Sequence, residues 1–201
     1  MINKLLTPYN LTQEEKDCIT AANNNWSSQR GCIELLKDDM HEHFDEHQNE
    51  KCCYCGLLYD RTGRGEIDHI APQGARYYPQ FSFTPLNLAK ACQLCNCSSM
   101  KHQFDTVAKL DADYDKCQFK IVHPYKDDHN WHYAWKYGLR NVVISVNNDS
   151  DQARESIKLF ELDKEKRTRM RATQRNQAYI DRVYDIKDAV KQRIKSVLTF
   201  R

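Results

Sequence analysis

The chain has 201 residues, of which 40% are hydrophobic and 29% charged, enough for one compact domain or a small catalytic module with helical additions. It contains no run of 18 or more apolar residues, which excludes a membrane-spanning helix, and its N-terminus lacks the apolar segment of a secretory signal, so we expect a cytosolic protein. Residues 163–201 carry twelve Lys and Arg against five Asp and Glu, whereas the first 162 residues are net acidic, which predicts either a polyanion partner for the basic segment or a solvated helix face.

The N-terminal region, residues 1–49, is predicted to be helical from residue 12 to residue 48. Thr12 and Glu15 have the spacing of a capping box, which indicates a helix start. Gly31 interrupts the apolar periodicity, so we predict two helices rather than one.

Residues 50–108 are predicted to form a second unit with a different character. Glycine and proline punctuate its first part, which predicts short strands and turns. We expect a helix from about Cys92 to Phe104 to follow.

The C-terminal region, residues 109–201, is predicted to contain two strands and a long helix. Val, Ile and Phe between turn residues indicate strands at Gln118–Val122 and Asn141–Val146. From Ser156 the pattern is helical. An apolar stripe at helical spacing consists of Ile180, Val183, Val190, Ile194 and Val197.

Four of the nine cysteines form two Cys-x-x-Cys pairs, namely Cys52, Cys55, Cys92 and Cys95. Each pair can offer two thiolates from one turn, and two such turns complete a tetrahedral zinc shell. Because this shell is closed, the zinc would be structural and its binding would stabilise the fold. Cys53 could replace Cys52, although its spacing is less favourable. In a reducing compartment, ligands or buried thiols are expected rather than disulfides.

The segment between the pairs contains further polar residues in a specific order. Asp68 and His69 end a strand-like Gly-Glu-Ile-Asp-His-Ile sequence, and Asn87 lies in a Thr-Pro-Leu-Asn-Leu turn that we expect just ahead of a helix. Asn96 directly follows the last cysteine of the second pair. This set resembles the HNH, or ββα-metal, nuclease family, in the variant whose finger is held by four cysteines. The resemblance covers roughly residues 50–105.

The resemblance implies a hydrolytic site for phosphodiester bonds. By that similarity His69 is the general base, and Asp68 and Asn96 ligate one divalent ion, Mg²⁺ or Mn²⁺. Asn87 would orient the imidazole through nearby backbone, and Lys101 could meet phosphate oxygens. Asn96 stands where the name-giving pattern has histidine, and an asparagine oxygen suits a hard ion better than zinc.

Each of these residues also has a plainer interpretation. Asp68 could cap a turn, His69 could be a core histidine, and Asn87 could be an ordinary turn residue, because asparagine and proline both favour turns. The cluster from His123 to His132 has the composition of a metal site. We interpret it as structural, because its Pro, Asp and Asn content is typical of a loop that ends a strand.

The basic segment and the flanks suggest partners. Arginine side chains in it are expected to follow a phosphate backbone, namely Arg167, Arg169, Arg171 and Arg175. The flanks resemble the HNH subunit of Septu-type and retron-associated anti-phage defence systems, which implies an ATPase partner.

The predicted fold is α+β, a ββα-metal finger with N-terminal helices and a C-terminal strand-plus-helix extension. DNA is the expected substrate and RNA stays open. The alternative is a zinc-stabilised adaptor that binds nucleic acid or protein without catalysis.

Overall fold

The computed structural model describes residues 2–101, 104–136, 142–184, 190 and 193. Within these residues the fold is α+β, and its strands form small antiparallel two-stranded sheets. No helix of the described part is long and apolar enough to cross a membrane.

Two helices form the N-terminal region, as predicted. Helix α1 spans Gln13–Ala21 and helix α2 spans Gly31–Gln48. The capping box is present, because Thr12 Oγ1 accepts from the Glu15 amide at 3.2 Å and Glu15 Oε2 accepts from the Thr12 amide at 2.6 Å. Both helices and their capping signal were therefore predictable from local sequence.

A disulfide joins the two N-terminal helices, which corrects the expectation that the cysteines would be ligands or free thiols. It links Cys18 of α1 to Cys32 of α2. The two Cα atoms lie 6.3 Å apart, inside the range that a disulfide can bridge. The expectation failed because it relied on the compartment and could not see how α1 and α2 pair.

The second region is built on a hairpin that begins beyond helix α3 (Tyr59–Thr62). Strand β1, Gly65–His69, runs antiparallel to strand β2, Leu88–Cys92. In the register, Gly65 lies opposite Cys92 and His69 lies opposite Leu88. The first strand was predicted, but Asn87 precedes a strand and not the expected helix. The hairpin places the end of β1 beside the start of β2.

The expected helix from Cys92 to Phe104 is much shorter in the structure. Helix α4 spans only Gln93–Asn96, and Cys97 takes an extended conformation that ends it. The chain then turns back, with the Lys101 amide donating to the Cys95 carbonyl at 3.3 Å. Two serines follow Cys97, and serine favours turns over helix interiors. This return brings Lys101 toward the hairpin.

The third region contains more elements than the sequence predicted. Residue ranges are as follows: β3 Val107–Lys109, β4 Gln118–Phe119, α5 His129–His132, β5 Tyr133–Lys136, β6 Val143–Val146, α6 Asp151–Leu159 and α7 Glu165–Tyr184. Strand β3 pairs with β4, and β5 pairs with β6. The two predicted strands are present in shortened form, and their partners were not predicted because each has only three or four residues.

The helix predicted from Ser156 is divided in two. A turn separates α6 from α7, and Glu161 within it has a positive φ of 50°. In the predicted apolar stripe, Ile180, Val183 and Val190 are exposed. Ile194 and Val197 lie outside the described residues.

Two hydrophobic clusters form the core. The larger one joins the four-cysteine region to β4, α6 and the turn after it. The smaller one packs α1 and α2 against Phe83 and Leu88 at the start of β2. Both clusters combine residues from more than one predicted region, so the hairpin lies between the N-terminal helices and the C-terminal elements. The boundaries at residues 49 and 108 stay predictions.

Candidate functional site

Four buried cysteines form one group that could hold a metal ion, namely Cys52, Cys55, Cys92 and Cys95. Their sulfur atoms all lie within 4.8 Å of one another, and the Sγ atoms of Cys55 and Cys92 are 3.8 Å apart. Tetrahedral zinc with Zn–S bonds of about 2.3 Å places its sulfurs about 3.8 Å apart. The predicted cysteine set is therefore brought together with the spacing of a structural metal site, and Cys53 is not part of it.

The turn that presents the first cysteine pair is fixed by its backbone. The Gly56 amide donates to the Cys52 carbonyl at 2.9 Å, and the Cys52 amide donates to the Leu57 carbonyl at 2.9 Å. Gly56 has a φ of +67°, a conformation that residues with a Cβ rarely adopt. The Tyr54 amide donates to Cys52 Sγ at 3.4 Å. An amide directed at sulfur favours the thiolate, which is the form that binds metal.

Arg167 lies against this cysteine group. Its guanidinium donates to Cys95 Sγ at 3.5 Å and to Cys55 Sγ at 3.8 Å, and only 3% of the residue is exposed. Burial alone would lower the pKa of Arg167, but its electrostatic interaction with the sulfurs of Cys95 and Cys55 outweighs burial and raises that pKa. Because the guanidinium is enclosed, Arg167 cannot bind a phosphate backbone, which corrects its predicted role.

Arg171 is also buried, which corrects the same prediction for this residue. Its guanidinium donates to the carbonyl oxygens of Val142 at 2.8 Å and Leu162 at 2.6 Å, and it stacks over the Trp135 ring. Arg169 and Arg175 are exposed, and their contact with nucleic acid stays a prediction. The sequence could not distinguish Arg167 and Arg171 from Arg169 and Arg175, because burial of the first two depends on tertiary contacts of α7.

A cleft of about 620 Å³ opens beside the hairpin. The predicted site residues that line it are Asp68, His69, Asn96 and Lys101. Residues 72–77 of the loop after β1 complete the lining of the cleft. Residues that the sequence spreads over 34 positions therefore share one concave surface.

Asp68 is held by two donors. Tyr54 Oη donates to Asp68 Oδ2 at 2.5 Å, and Lys101 Nζ donates to Asp68 Oδ1 at 2.9 Å. The Lys101 ammonium also donates to the His69 carbonyl at 2.7 Å, and only 2% of Lys101 is exposed. Tyr54 stands inside the first cysteine pair, so the turn that carries the cysteines also positions this carboxylate.

His69 is fixed on two sides. Its Nε2 lies 3.0 Å from the Ser82 carbonyl, which can only accept, so Nε2 carries the proton in the neutral ring. Trp26 makes an edge contact with the imidazole, with ring centroids 4.5 Å apart. Burial lowers the pKa of His69 to about 3, against the opposing effect of the Ser82 bond, and the charge of Lys101 adds to the lowering. The ring is neutral near pH 7, with Nδ1 as its acceptor.

Asn96 and Asn87 have different positions relative to the cleft. Asn96 Nδ2 donates to Glu66 Oε2 at 3.0 Å, which leaves the amide oxygen for another partner. Asn87 is fully buried behind the cleft, where its side chain bonds both the amide and the carbonyl of Ala71, at 2.6 Å and 3.2 Å. Asn87 therefore fixes the backbone just beyond β1, and its role in orienting the imidazole stays a prediction.

His123 is linked to Asn87 through the hydroxyl of Tyr114. Tyr114 Oη lies 2.9 Å from Asn87 Oδ1 and 3.0 Å from His123 Nε2. His123 Nδ1 accepts from the Tyr125 amide at 3.2 Å, so both ring nitrogens have protein partners. Among the described residues, the histidines of this cluster do not belong to a group of three or more side chains that could hold an ion. This geometry favours the structural interpretation.

Several residues of the site were not identified from sequence. Tyr54 lies within the first cysteine pair, and Glu66 lies two residues before Asp68 on β1. These positions next to predicted site residues could have indicated both. Trp26 comes from the loop between α1 and α2, and no local pattern connects it to His69. Arg76 lines the cleft from its exposed wall, and only the fold places it there.

No protein-family model matches the chain, and a search of curated proteins finds no significant match. The case for a family therefore depends on residues 52–101 and on the arrangement that they adopt. That arrangement places a neutral imidazole, a carboxylate, an amide oxygen and two cationic side chains around one cleft, which is a set that can bind a phosphodiester and activate water.

Proposed function

We propose that the chain is a metal-dependent HNH endonuclease that hydrolyses DNA phosphodiester bonds. The observation that carries the proposal is the cleft, which gathers Asp68, His69 and Asn96 beside the four-cysteine group. The order of elements supports it, because β1, β2 and α4 follow one another as in a ββα finger. Zinc bound by the four cysteines would hold the hairpin and α4 in this arrangement.

His69 is the general base of the proposed reaction. Its Nε2 proton is committed to the Ser82 carbonyl, so Nδ1 takes the proton from the attacking water. The neutral form is already populated at neutral pH, because burial keeps the pKa of His69 near 3. The ring is therefore free to accept a proton, but a pKa near 3 makes it a weaker base than one whose pKa matches neutral pH.

Asp68 and the amide oxygen of Asn96 are the proposed protein ligands of one Mg²⁺ or Mn²⁺ ion. A divalent ion supplies charge to a phosphate oxygen and the leaving oxygen during hydrolysis. Asp68 already accepts from Tyr54 and Lys101, but each carboxylate oxygen has a second lone pair. The Glu66 bond keeps the Asn96 amide nitrogen turned away. The two residues thus provide hard oxygen ligands, which these ions prefer.

Lys101 and Arg76 are the proposed phosphate contacts. Lys101 lines the cleft and its ammonium donates to Asp68, so a phosphate that enters the cleft would share this donor. Arg76 lines the same cleft and is exposed, and a guanidinium suits phosphate geometry. Two cations that contact the phosphate backbone would make cleavage weaken as the salt concentration rises.

A plasmid-nicking assay tests the proposed function. Zinc-loaded protein is incubated with supercoiled DNA and Mg²⁺ or Mn²⁺, and His69→Ala is compared with His47→Ala, an exposed histidine of α2. We expect metal-dependent nicking that His69→Ala reduces at least about a hundredfold and His47→Ala leaves unchanged. Thermal unfolding shows whether His69→Ala retains the fold. Cleavage that survives in folded His69→Ala would contradict the proposal.

One observation favours the alternative, a non-catalytic adaptor. Asp68 is satisfied by Tyr54 and Lys101 without an ion, as a structural carboxylate would be. The adaptor predicts that wild-type protein binds DNA, RNA or a protein but cuts neither nucleic acid at any metal concentration. The same assay, repeated with single-stranded RNA, separates the candidates.

The predicted role in anti-phage defence and the ATPase partner rest on the sequence resemblance of the flanks. A partner that restrains the nuclease would change the rate of nicking and leave its metal requirement unaltered. The assay is therefore run with and without any ATPase that a neighbouring gene is found to encode. Activity in neither condition would count against both parts of the proposal.

A further inference from the structure

The cysteine group has a buried cation as its neighbour. The Arg167 guanidinium donates to Cys95 Sγ and Cys55 Sγ, and its other described partner is the Met100 sulfur at 3.5 Å. Among the described residues, no carboxylate forms an ion pair with Arg167. A buried charge without an opposite charge is costly. Negative charge on the sulfurs would offset that cost for Arg167.

Bound zinc supplies that condition. Four thiolates around Zn²⁺ form an anionic cluster, because their charges outweigh that of the ion. Loss of the ion would remove the bonds that hold the four sulfurs together, and with them the arrangement of Cys55 and Cys95 that the guanidinium contacts. Arg167 thus contacts the cysteine group at the two sulfurs whose positions would depend on the ion.

A second contact on the same face of α7 reaches the same turn. Gln174 Oε1 accepts from the Leu58 amide at 2.9 Å, and Gln174 Nε2 donates to the Gly56 carbonyl at 3.0 Å. Arg167 and Gln174 are seven residues apart, so they share a helix face. Met170 lies between them and packs on the larger core cluster. The turn that carries Cys52 and Cys55 is therefore part of the surface on which α7 sits.

We propose that Arg167 is the charge-compensating partner of a zinc–thiolate cluster and that it makes the docking of α7 depend on bound zinc. Removal of zinc takes away the anion that Arg167 meets and loosens the turn that Gln174 binds. Exposed basic residues on the outer face of α7, such as Lys166 and Arg169, then lose their fixed position relative to the cleft. The inference goes beyond the proposed nuclease function and does not depend on it.

Zinc release under a chelator tests the first half of the proposal. The full chain is loaded with zinc, and release to a chromophoric chelator is timed for wild type, Arg167→Met and Arg169→Met. Arg169 is the matched control, because it lies on the same helix, is exposed, and pairs with Glu165. We expect Arg167→Met to release zinc about ten- to a hundredfold faster, as when a residue that supports metal ligands is lost. The control should stay within about twofold of wild type.

Hydrogen exchange of the α7 amides tests the second half. We expect wild type to lose protection in α7 when zinc is removed, and Arg167→Met to lose part of it with zinc still bound. If Arg167→Met does not fold, Arg167→Lys replaces it, and an intermediate release rate is expected because the charge is retained without the guanidinium geometry. The proposal is overturned if the chain binds no zinc, if the Arg167 variant releases it like the control, or if α7 protection is the same with and without zinc. None of these readouts uses DNA, so they fail or succeed separately from the nicking assay.

Discussion

At the scale of single residues, the site depends on side chains that hold the candidate catalytic groups. His69 lies between the Ser82 carbonyl and the Trp26 ring, and Asp68 lies between Tyr54 and Lys101. Groups that must be correctly oriented for proton transfer or metal binding gain from such packing. Substitutions of the supporting side chains Trp26 and Tyr54 therefore test the proposed site directly.

Trp26→Leu should misplace the base without removing it. Loss of the edge contact lets water reach His69, so we expect its pKa to rise from about 3 toward the ordinary value of about 6.5. We expect the cleavage rate to fall about tenfold. NMR titration of the imidazole in metal-free protein measures the first effect. Trp131→Leu, at a tryptophan that is half exposed, should change neither quantity, and an unmoved His69 pKa in Trp26→Leu would refute the role.

Tyr54→Phe tests the link between the cysteine turn and Asp68. The variant removes the donor to Asp68 Oδ2 and keeps the ring that stacks on Phe160. We expect cleavage to fall about tenfold or more while the zinc content stays unchanged, since the residue positions a ligand and is not one. Tyr9→Phe is the control, because it removes a hydroxyl that donates to Glu15 of α1. Wild-type cleavage by Tyr54→Phe would show that Asp68 needs no such support.

At the scale of elements, a polar network joins the two strands of the hairpin to the C-terminal region. Asn87, just before β2, binds the backbone of Ala71 after β1 and the hydroxyl of Tyr114, which also meets His123. Buried networks of this kind are costly to interrupt, because each deleted partner leaves others unsatisfied. The network therefore supports both the fold and the orientation of the cleft.

Asn87→Ala should lower the free energy of unfolding by about 3 kcal/mol, because it leaves buried donors and acceptors without partners. Denaturant unfolding measures the effect. Asn130→Ala, at an exposed asparagine, should stay within about 0.5 kcal/mol of wild type. A loss below about 1 kcal/mol in Asn87→Ala would mean that the network carries little of the stability.

The buried histidines predict a loss of stability in mild acid. Burial lowers the pKa of His129 to about 4 and holds that of His123 well below its usual value. The unfolded chain therefore binds more protons than the folded one below about pH 6.5. The free energy of unfolding falls as the pH drops from there toward 4, by up to about 1.4 kcal/mol per pH unit for each histidine. Unfolding curves between pH 7 and 5 measure it. His129→Asn should flatten the dependence, and an unchanged slope would contradict the assignment.

At the scale of the whole molecule, local signals were read correctly from sequence. The capping box at Thr12, the break before α2 and the strand that ends in His69 all depend on neighbouring residues. The four cysteines also came together as predicted, because their paired spacing reflects one shared constraint.

Properties set by tertiary packing were not predictable in the same way. The sequence offered four similar arginines in the basic segment, but tertiary contacts of α7 bury Arg167 and Arg171. The contact of Trp26 with His69 joins residues 43 positions apart, and the pairing of α1 with α2 creates the disulfide of Cys18. Each of these depends on where elements meet, which periodicity and spacing do not encode.

The central claim is that a zinc-held hairpin presents Asp68, His69 and Asn96 to one hydrolytic metal ion. The most direct test is anomalous diffraction from crystals of the zinc-loaded protein grown with Mn²⁺. We predict a zinc peak among the four cysteine sulfurs and a manganese peak about 2.2 Å from an oxygen of Asp68 and the amide oxygen of Asn96. An empty cleft at saturating Mn²⁺, or manganese bound away from both residues, would contradict the account.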